Sequence, residues 1–127
     1  MIIDGKFQAK IIREKIKKEI LKLKKNFNKS PVLSVILIGD YAPSKIYVKS
    51  KEKQASEVGI KSEVIKYDSN VSEEKVLEKI NQLNSDEKIS GILVQLPLPD
   101  QISKQKIINT INPTKDVDGF NPINVGN

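Results

Sequence analysis

The sequence has 127 residues, of which 38% are hydrophobic and 30% charged; this length suits one domain with a buried core and is too short to predict two. It contains neither cysteine nor histidine. Disulfides, thiolate or imidazole metal ligands, cysteine nucleophiles and serine–histidine triads are therefore excluded within it, and acid–base chemistry would fall to lysine, tyrosine or carboxylate side chains.

The net charge of +6 raises the question of a nucleic-acid partner. The lysines, however, are interleaved with glutamates in several predicted helices, and no aromatic ladder accompanies them. This pattern favours a solvated surface that attracts small anionic ligands, and we expect no nucleic-acid partner. No apolar stretch approaches the roughly 20 residues of a membrane span, and no secretory signal is visible, so we expect a cytoplasmic protein without a membrane partner.

Hydrophobic periodicity predicts helices that alternate with strands. In chain order we expect helix 5–28, strand 32–40, helix 43–58, strand 61–68, helix 72–83, strand 89–99 and helix 101–111, and the turn-rich tail allows a short strand at 116–119. Ser72 is expected to cap the N-terminus of its helix, and Gly59 the C-terminus of another. The alternation predicts right-handed crossovers and an α/β fold, a three-layer sandwich whose mostly parallel sheet is covered by helices on both faces.

Ligands of such sheets bind beyond the carboxyl ends of the strands. Three polar stretches are predicted to lie there: "GDYAPSKIYVKSK" after the first strand, "QLPLPD" after the third, and "DVDGF" in the tail. A single pocket could gather all three.

One lysine in the first of these stretches differs from its neighbours. At about 100° per residue, Lys45, Lys49 and Lys53 share one outer face of the predicted helix. Lys51 instead projects on the stripe of apolar residues that faces the sheet. Its stem could simply pack on apolar neighbours while the ammonium reaches water. Alternatively, partial desolvation could make the neutral amine available for acid–base chemistry.

The neighbours of Lys51 on this helix are also open to two interpretations. Tyr47, one turn earlier, could be a core or boundary aromatic, or it could hydrogen-bond the lysine or stack on a planar ligand. Ile46 does not fit the inward stripe, and we expect it to pack against another element.

Gln95 interrupts the apolar run "GILVQLPLP". It could lie at the solvated end of the strand, or it could orient a ligand or the Lys51 amine, because a buried amide must satisfy its hydrogen bonds. Asp116 and Asp118 are two residues apart and would point to one side of an extended segment. They could form a turn with Gly119, act as a weak metal or acid–base pair, or bind adjacent N–H donors such as those of pterins and guanines.

Together these stretches resemble one family, the bifunctional methylenetetrahydrofolate dehydrogenase/methenyltetrahydrofolate cyclohydrolase enzymes. The matching motifs are "GD" followed by "S-x-x-YVxxK" at 39–51, "GILVQLPLP" at 91–99, and "P-x-KDVDGF-x-x-x-NVG" at 113–126. The resemblance covers nearly the whole chain. The chain departs from the family's usual "GDNPAS" because Tyr41 and Pro43 alter the loop, from which we expect a shifted turn rather than a lost site.

The resemblance implies roles for the residues already singled out. Lys51 resembles the catalytic lysine that assists proton transfer, and Gln95 the glutamine that hydrogen-bonds it. Tyr47 resembles the aromatic that packs on the folate, and Asp118 the carboxylate that grips the pterin ring. Two further residues are expected to line the same substrate wall: Val94 and Leu96. No metal is implied.

The resemblance also implies an organisation and a reaction. Residues 1–118 would form the folate-binding catalytic domain, and 119–127 would begin the connection to a nicotinamide-dinucleotide domain of Rossmann type. The full enzyme would be a homodimer that oxidises methylenetetrahydrofolate with NADP or NAD and hydrolyses the methenyl product to 10-formyltetrahydrofolate. This chain shows no glycine-rich dinucleotide fingerprint and is expected to bind no cofactor alone. The alternative is a folate-binding or interaction module without activity.

Overall fold

The computed structural model of the chain describes residues 5–120. Its elements are α1 (Gly5–Phe27), β1 (Val32–Ile38), α2 (Ala42–Glu57), β2 (Lys61–Tyr67), α3 (Glu73–Ser85), β3 (Gly91–Val94), α4 (Lys104–Thr110) and a 3₁₀ turn (Pro113–Lys115). The predicted helices and strands are confirmed in type and order. Of the predicted connection at 119–127, residues 121–127 lie outside the described part.

The described strands form a three-stranded parallel sheet in the order β2-β1-β3. β3 is shorter than predicted, because only four residues before Gln95 follow the strand conformation. The short strand allowed in the tail is reduced to a single parallel bridge between Ile92 and Asp116. That bridge nevertheless brings the tail against the edge of the sheet, next to β3.

Side chains that alternate along the strands fill two cores, one on each face of the sheet. On one face, Val35 and Leu37 of β1 pack with Leu93 of β3 and Val48 of α2. On the other face, a larger cluster joins β1 and β3 to α3 and α4; its members include Ile36, Val94, Ile80 and Ile107. Helices thus cover both faces, and the predicted three-layer α/β fold is confirmed.

Both predicted helix caps are confirmed. The Ser72 hydroxyl accepts a hydrogen bond from the backbone N–H of Lys75 at 3.2 Å, at the start of α3. At the end of α2, Gly59 adopts a φ of +91°, and the N–H of Ile60 reaches back to the Ala55 carbonyl at 2.8 Å. This bond, with the one from the Gly59 N–H to the Ser56 carbonyl, forms a Schellman motif.

The first helix leaves most of its apolar face open. Of the apolar residues that define its periodicity, Ile20 is buried, and it lies against Gly59. The others are exposed: Phe7, Ile11, Ile12, Ile16, Leu23 and Phe27. None of the helices between residues 5 and 120 combines the length and apolar character needed to cross a membrane.

Ser34 carries a buried hydroxyl whose hydrogen bonds are not satisfied. The side chain lies in the middle of β1, is 0% exposed, and finds no hydrogen-bond partner within residues 5–120. Because an unsatisfied buried hydroxyl is costly, we expect Ser34→Ala to raise the free energy of unfolding by about 1 kcal/mol. Urea denaturation provides the measurement. Ser44→Ala is the matched control, since the buried Ser44 hydroxyl does donate a hydrogen bond, and it should lower stability instead.

Candidate active site

Helix α2 presents Lys51 toward the sheet. Its buried residues, Ser44, Val48 and Ala55, define the inward stripe, and Lys51 lies half-buried on that stripe. The three other lysines of the stretch are exposed: Lys45, Lys49 and Lys53. The predicted difference between Lys51 and its neighbours is confirmed. The expectation that Ile46 packs against another element is wrong, because that side chain is 66% exposed.

The Lys51 ammonium is held by Gln95. Its Nζ atom donates a hydrogen bond to Gln95 Oε1 at 3.0 Å, although the two residues are 44 positions apart. The other end of the amide, Nε2, donates to the Leu96 carbonyl at 3.1 Å. This second bond fixes which end of the amide faces the lysine. Gln95 is only 9% exposed, so the interpretation that it lies at a solvated strand end is wrong.

The Leu96 carbonyl is a junction between α2 and the loop that follows β3. Besides the bond from Gln95, it accepts a hydrogen bond from the Ser44 hydroxyl at 3.3 Å. Ser44 is 3% exposed and lies in the first turn of α2. It therefore ties the start of the lysine-bearing helix to the loop that holds Gln95. The Leu96–Pro97 peptide bond in this loop is cis.

Lys51 and Asp118 line the same cleft, which has a volume of about 450 Å³. This volume lies within the range of small-molecule sites. Most of its wall is apolar and comes from α1, β1, α2, β3 and the segments that follow α2 and the 3₁₀ turn: Ala9, Ile12, Ile16, Leu33, Ala55, Val58, Ile60, Leu93 and Val117. Partial burial raises the pKa of the Asp118 carboxyl, the charge of Lys51 opposes this rise, and the charge of Asp116 adds to it. Asp118 itself remains largely exposed at the rim.

Asp116 holds the turn that presents Asp118. Its Oδ1 atom accepts a hydrogen bond from the Gly119 N–H at 3.1 Å, and Gly119 has a φ of +69°, a conformation that favours glycine. No group of three or more carboxylates between residues 5 and 120 is arranged to hold a metal ion. The two aspartates thus differ: Asp116 forms the turn, and Asp118 faces the cleft.

Four predicted site residues do not line the cleft: Tyr47, Val94, Leu96, and Gln95, which reaches it only through its hydrogen bond to Lys51. Tyr47 is 57% exposed on the surface of α2, so its interpretation as a core aromatic is wrong. Val94 and Leu96 line a separate cavity of about 20 Å³, which they share with Asp118 and Ile107. Because successive residues of a strand point to opposite faces, Val94 lies away from Leu93 and the Lys51 cleft. Val94 and Leu96 thus lie beside Asp118, and their contact with a substrate stays a prediction.

The sequence prediction missed a charged residue of this cleft. Arg13 of α1 lines the cleft with Lys51 and Asp118. It is the only arginine in a lysine-rich sequence, and this difference could have identified it as a candidate site residue. A second cleft, of about 720 Å³, lies beyond the ends of β1 and β2 and contains none of the predicted site residues.

The arrangement is suited to moving a proton beside a bound planar ligand. A lysine amine is held in a mostly apolar cleft by a neutral amide, and no carboxylate between residues 5 and 120 is in direct contact with it. The Asp118 carboxylate lies elsewhere on the same cleft, where it can accept hydrogen bonds from ligand N–H groups.

A dinucleotide fits poorly at the carboxyl end of β1. The turn between β1 and α2 reads Gly39, Asp40 and Tyr41, without the glycine-rich pattern that lets a backbone approach a pyrophosphate.

A comparison with protein families supports the resemblance. The family model described as "Tetrahydrofolate dehydrogenase/cyclohydrolase, catalytic domain" matches residues 3–118. The bifunctional protein FolD of Pelagibacter ubique is 61% identical over 127 residues, which are all of this chain and 45% of that protein. The FolD protein of Staphylococcus epidermidis is 52% identical over 125 residues, or 98% of this chain and 43% of that protein. The chain thus spans less than half the length of these relatives.

Solved structures share the fold. The bifunctional FolD enzyme of Campylobacter jejuni superposes with a TM-score of 0.93 at 48% identity, over 97% of this chain and 43% of that one. A FolD enzyme of Trypanosoma brucei, solved with NADP cofactor and an inhibitor, gives a TM-score of 0.91 at 35% identity, over 99% of this chain and 43% of that one. From the family match, the fold and the site, the chain belongs to the catalytic-domain family of the tetrahydrofolate dehydrogenase/cyclohydrolases.

Proposed function

We propose that this chain is the folate-binding catalytic part of an enzyme that oxidises 5,10-methylenetetrahydrofolate and hydrolyses the methenyl product to 10-formyltetrahydrofolate. The observation that carries the proposal is the hydrogen bond from Lys51 to the buried Gln95 amide, on a cleft that also contains Asp118. Under this proposal residues 1–118 are the folate-binding domain, and 119–127 lead into the polypeptide that completes the enzyme.

Lys51 would act as the acid–base residue of hydrolysis. Water adds to the methenyl carbon, and the lysine amine accepts the proton that the water loses as the new C–O bond forms. The bond from that carbon to N5 then breaks: the lysine returns its proton to N5, the new hydroxyl loses its own proton to solvent as it becomes the carbonyl, and the formyl group remains on N10. Gln95 would keep the amine over the reacting carbon, because its own amide is locked by the Leu96 carbonyl.

The remaining site residues would bind the substrate. Asp118 would accept paired hydrogen bonds from the adjacent N–H groups of the pterin, and the exposed ring of Tyr47 would pack on the folate. Val94 and Leu96 would contribute to the substrate wall beside Asp118, with which they line one cavity.

The redox step needs a nicotinamide cofactor, and we propose NADP, or NAD, for the whole enzyme. The Trypanosoma brucei relative was solved with NADP, whereas the turn after β1 here does not fit a dinucleotide. The cofactor would therefore be held by polypeptide outside residues 1–127. We further propose a cytoplasmic homodimer that has neither membranes nor nucleic acid as partners.

Calorimetric titration of the chain with a tetrahydrofolate analogue tests the proposal. We expect one binding site per chain and an affinity that depends little on salt, because the apolar cleft provides most of the contact. A demonstrably folded chain that binds no analogue would contradict a folate site formed by these residues. Affinity for nucleic acid that falls steeply with salt and ignores folate would instead indicate a nucleic-acid module.

A further inference from the structure

We propose that Lys115 is a positioning residue for Asp118, because it anchors the segment that carries this carboxylate to the C-terminal end of α3. The inference rests on the proposed function, in which Asp118 binds the pterin. Lys115 does not line the cleft itself, so any effect on ligand binding must act through the residues that follow it.

The anchor uses every N–H of the Lys115 ammonium. Nζ donates hydrogen bonds to the carbonyls of Leu83 at 2.9 Å, Asn84 at 2.9 Å and Asp86 at 2.8 Å. The last carbonyls of a helix lack partners within it and lie at the negative end of its dipole, so an ammonium is well placed there. A lysine with all three donors committed to backbone oxygens is fixed in position, unlike a solvated surface lysine.

Asn84 makes a second attachment of the same loop. Its Nδ2 atom donates to the Thr110 carbonyl at 2.7 Å, and its Oδ1 atom accepts from the Asn112 N–H at 2.9 Å. The segment from Asn112 to Lys115 is therefore tied to the end of α3 at both of its ends.

Residues 115–119 make further contacts, so this segment cannot move independently of the two attachments. Asp116 forms the parallel bridge with Ile92 of β3. Val117 packs so closely on Gly91 that a Cβ atom added there would lie 2.6 Å from Val117 Cγ2. Asp118 is thus held between an anchored lysine on one side and the Gly119 turn on the other. Loss of the anchor would let the carboxylate leave the cleft.

The proposal is tested by measuring how tightly Lys115→Gln and Lys115→Met bind the tetrahydrofolate analogue. Lys115→Arg is the conservative variant, and Lys106→Met is the control. Lys106 forms an exposed ion pair with Glu73, away from the cleft. Lys115→Gln keeps two donors and is included because Lys115→Met risks unfolding the chain. We expect Lys115→Gln to weaken binding of the tetrahydrofolate analogue by about tenfold to a hundredfold, Lys115→Arg to restore much of it, and Lys106→Met to change nothing.

A readout that needs no ligand separates this proposal from the proposed function. The charged groups around Asp118 are Lys51 from α2 and Arg13 from α1, which line its cleft, and Asp116 on its own segment. Carbon-detected NMR titration of the side-chain carboxyls follows Asp118 directly. Because burial raises the pKa of Asp118, release of the segment into water should return its titration midpoint toward that of an ordinary aspartate. A folded Lys115→Gln chain with an unchanged Asp118 titration would overturn the proposal. A shifted titration in a chain that binds no folate would uphold the positioning role and reject the proposed function.

Discussion

Replacement of Lys51 by methionine is expected to lower the rate of methenyltetrahydrofolate hydrolysis by a factor of about 10² to 10⁴, the usual contribution of a positioned acid–base group. Methionine keeps the length and apolar character of the lysine stem but removes the amine that Gln95 holds at 3.0 Å. Folding and ligand affinity should change far less than the rate. The measurement is the decay of the methenyl absorbance with time, for wild type and variant together.

Lys49→Met is the matched control, because it removes the same charge two residues earlier from the exposed face of α2. We expect this variant to hydrolyse methenyltetrahydrofolate at the wild-type rate within experimental error. Equal rates for Lys51→Met and Lys49→Met would reject the catalytic assignment. A wild-type chain that binds folate but shows no turnover would support the alternative of a binding module without activity.

Local patterns were enough to predict the fold and to single out the two residues of the site's central contact. The 3.6-residue period of a helix identified Lys51 as the inward lysine, and the polar interruption of an apolar run identified Gln95. Both signals depend only on neighbouring residues. The resemblance to a family then joined the two, and the structure places them in hydrogen-bond contact.

Long-range packing determined what the sequence did not reveal. Nothing in the "KDVDGF" motif indicates that Lys115 reaches the end of α3, since its three acceptors are backbone carbonyls and carry no sequence signature. The contribution of Arg13 depends on where α1 lies against α2, which periodicity does not specify. The position of Val94, by contrast, follows from strand alternation, which separates its side chain from that of Gln95.

Asp118→Asn is expected to weaken binding of a tetrahydrofolate analogue by about tenfold to a hundredfold, which corresponds to the loss of charge-assisted hydrogen bonds. The asparagine oxygen still accepts, but its amino group opposes the N–H donors of the pterin. Calorimetry at neutral pH measures the change. Asp100→Asn, in the loop before α4 and outside the cleft, is the control that should bind like the wild type.

The pH dependence distinguishes a lost charge from a disturbed fold. Only ionised Asp118 would grip the pterin, so wild-type affinity should fall as the pH drops through the pKa of Asp118, which burial raises above that of ordinary aspartate. The affinity of Asp118→Asn should not fall in this pH range. If it did, the group that titrates would be one other than Asp118.

A carboxyl whose pKa is raised by folding costs stability once it ionises, so the stabilising contribution of its neutral form is lost as the pH rises through that pKa. Asp118→Asn should therefore unfold no more easily than the wild type at neutral pH, and weaker binding at undiminished stability is the combination expected of a binding residue.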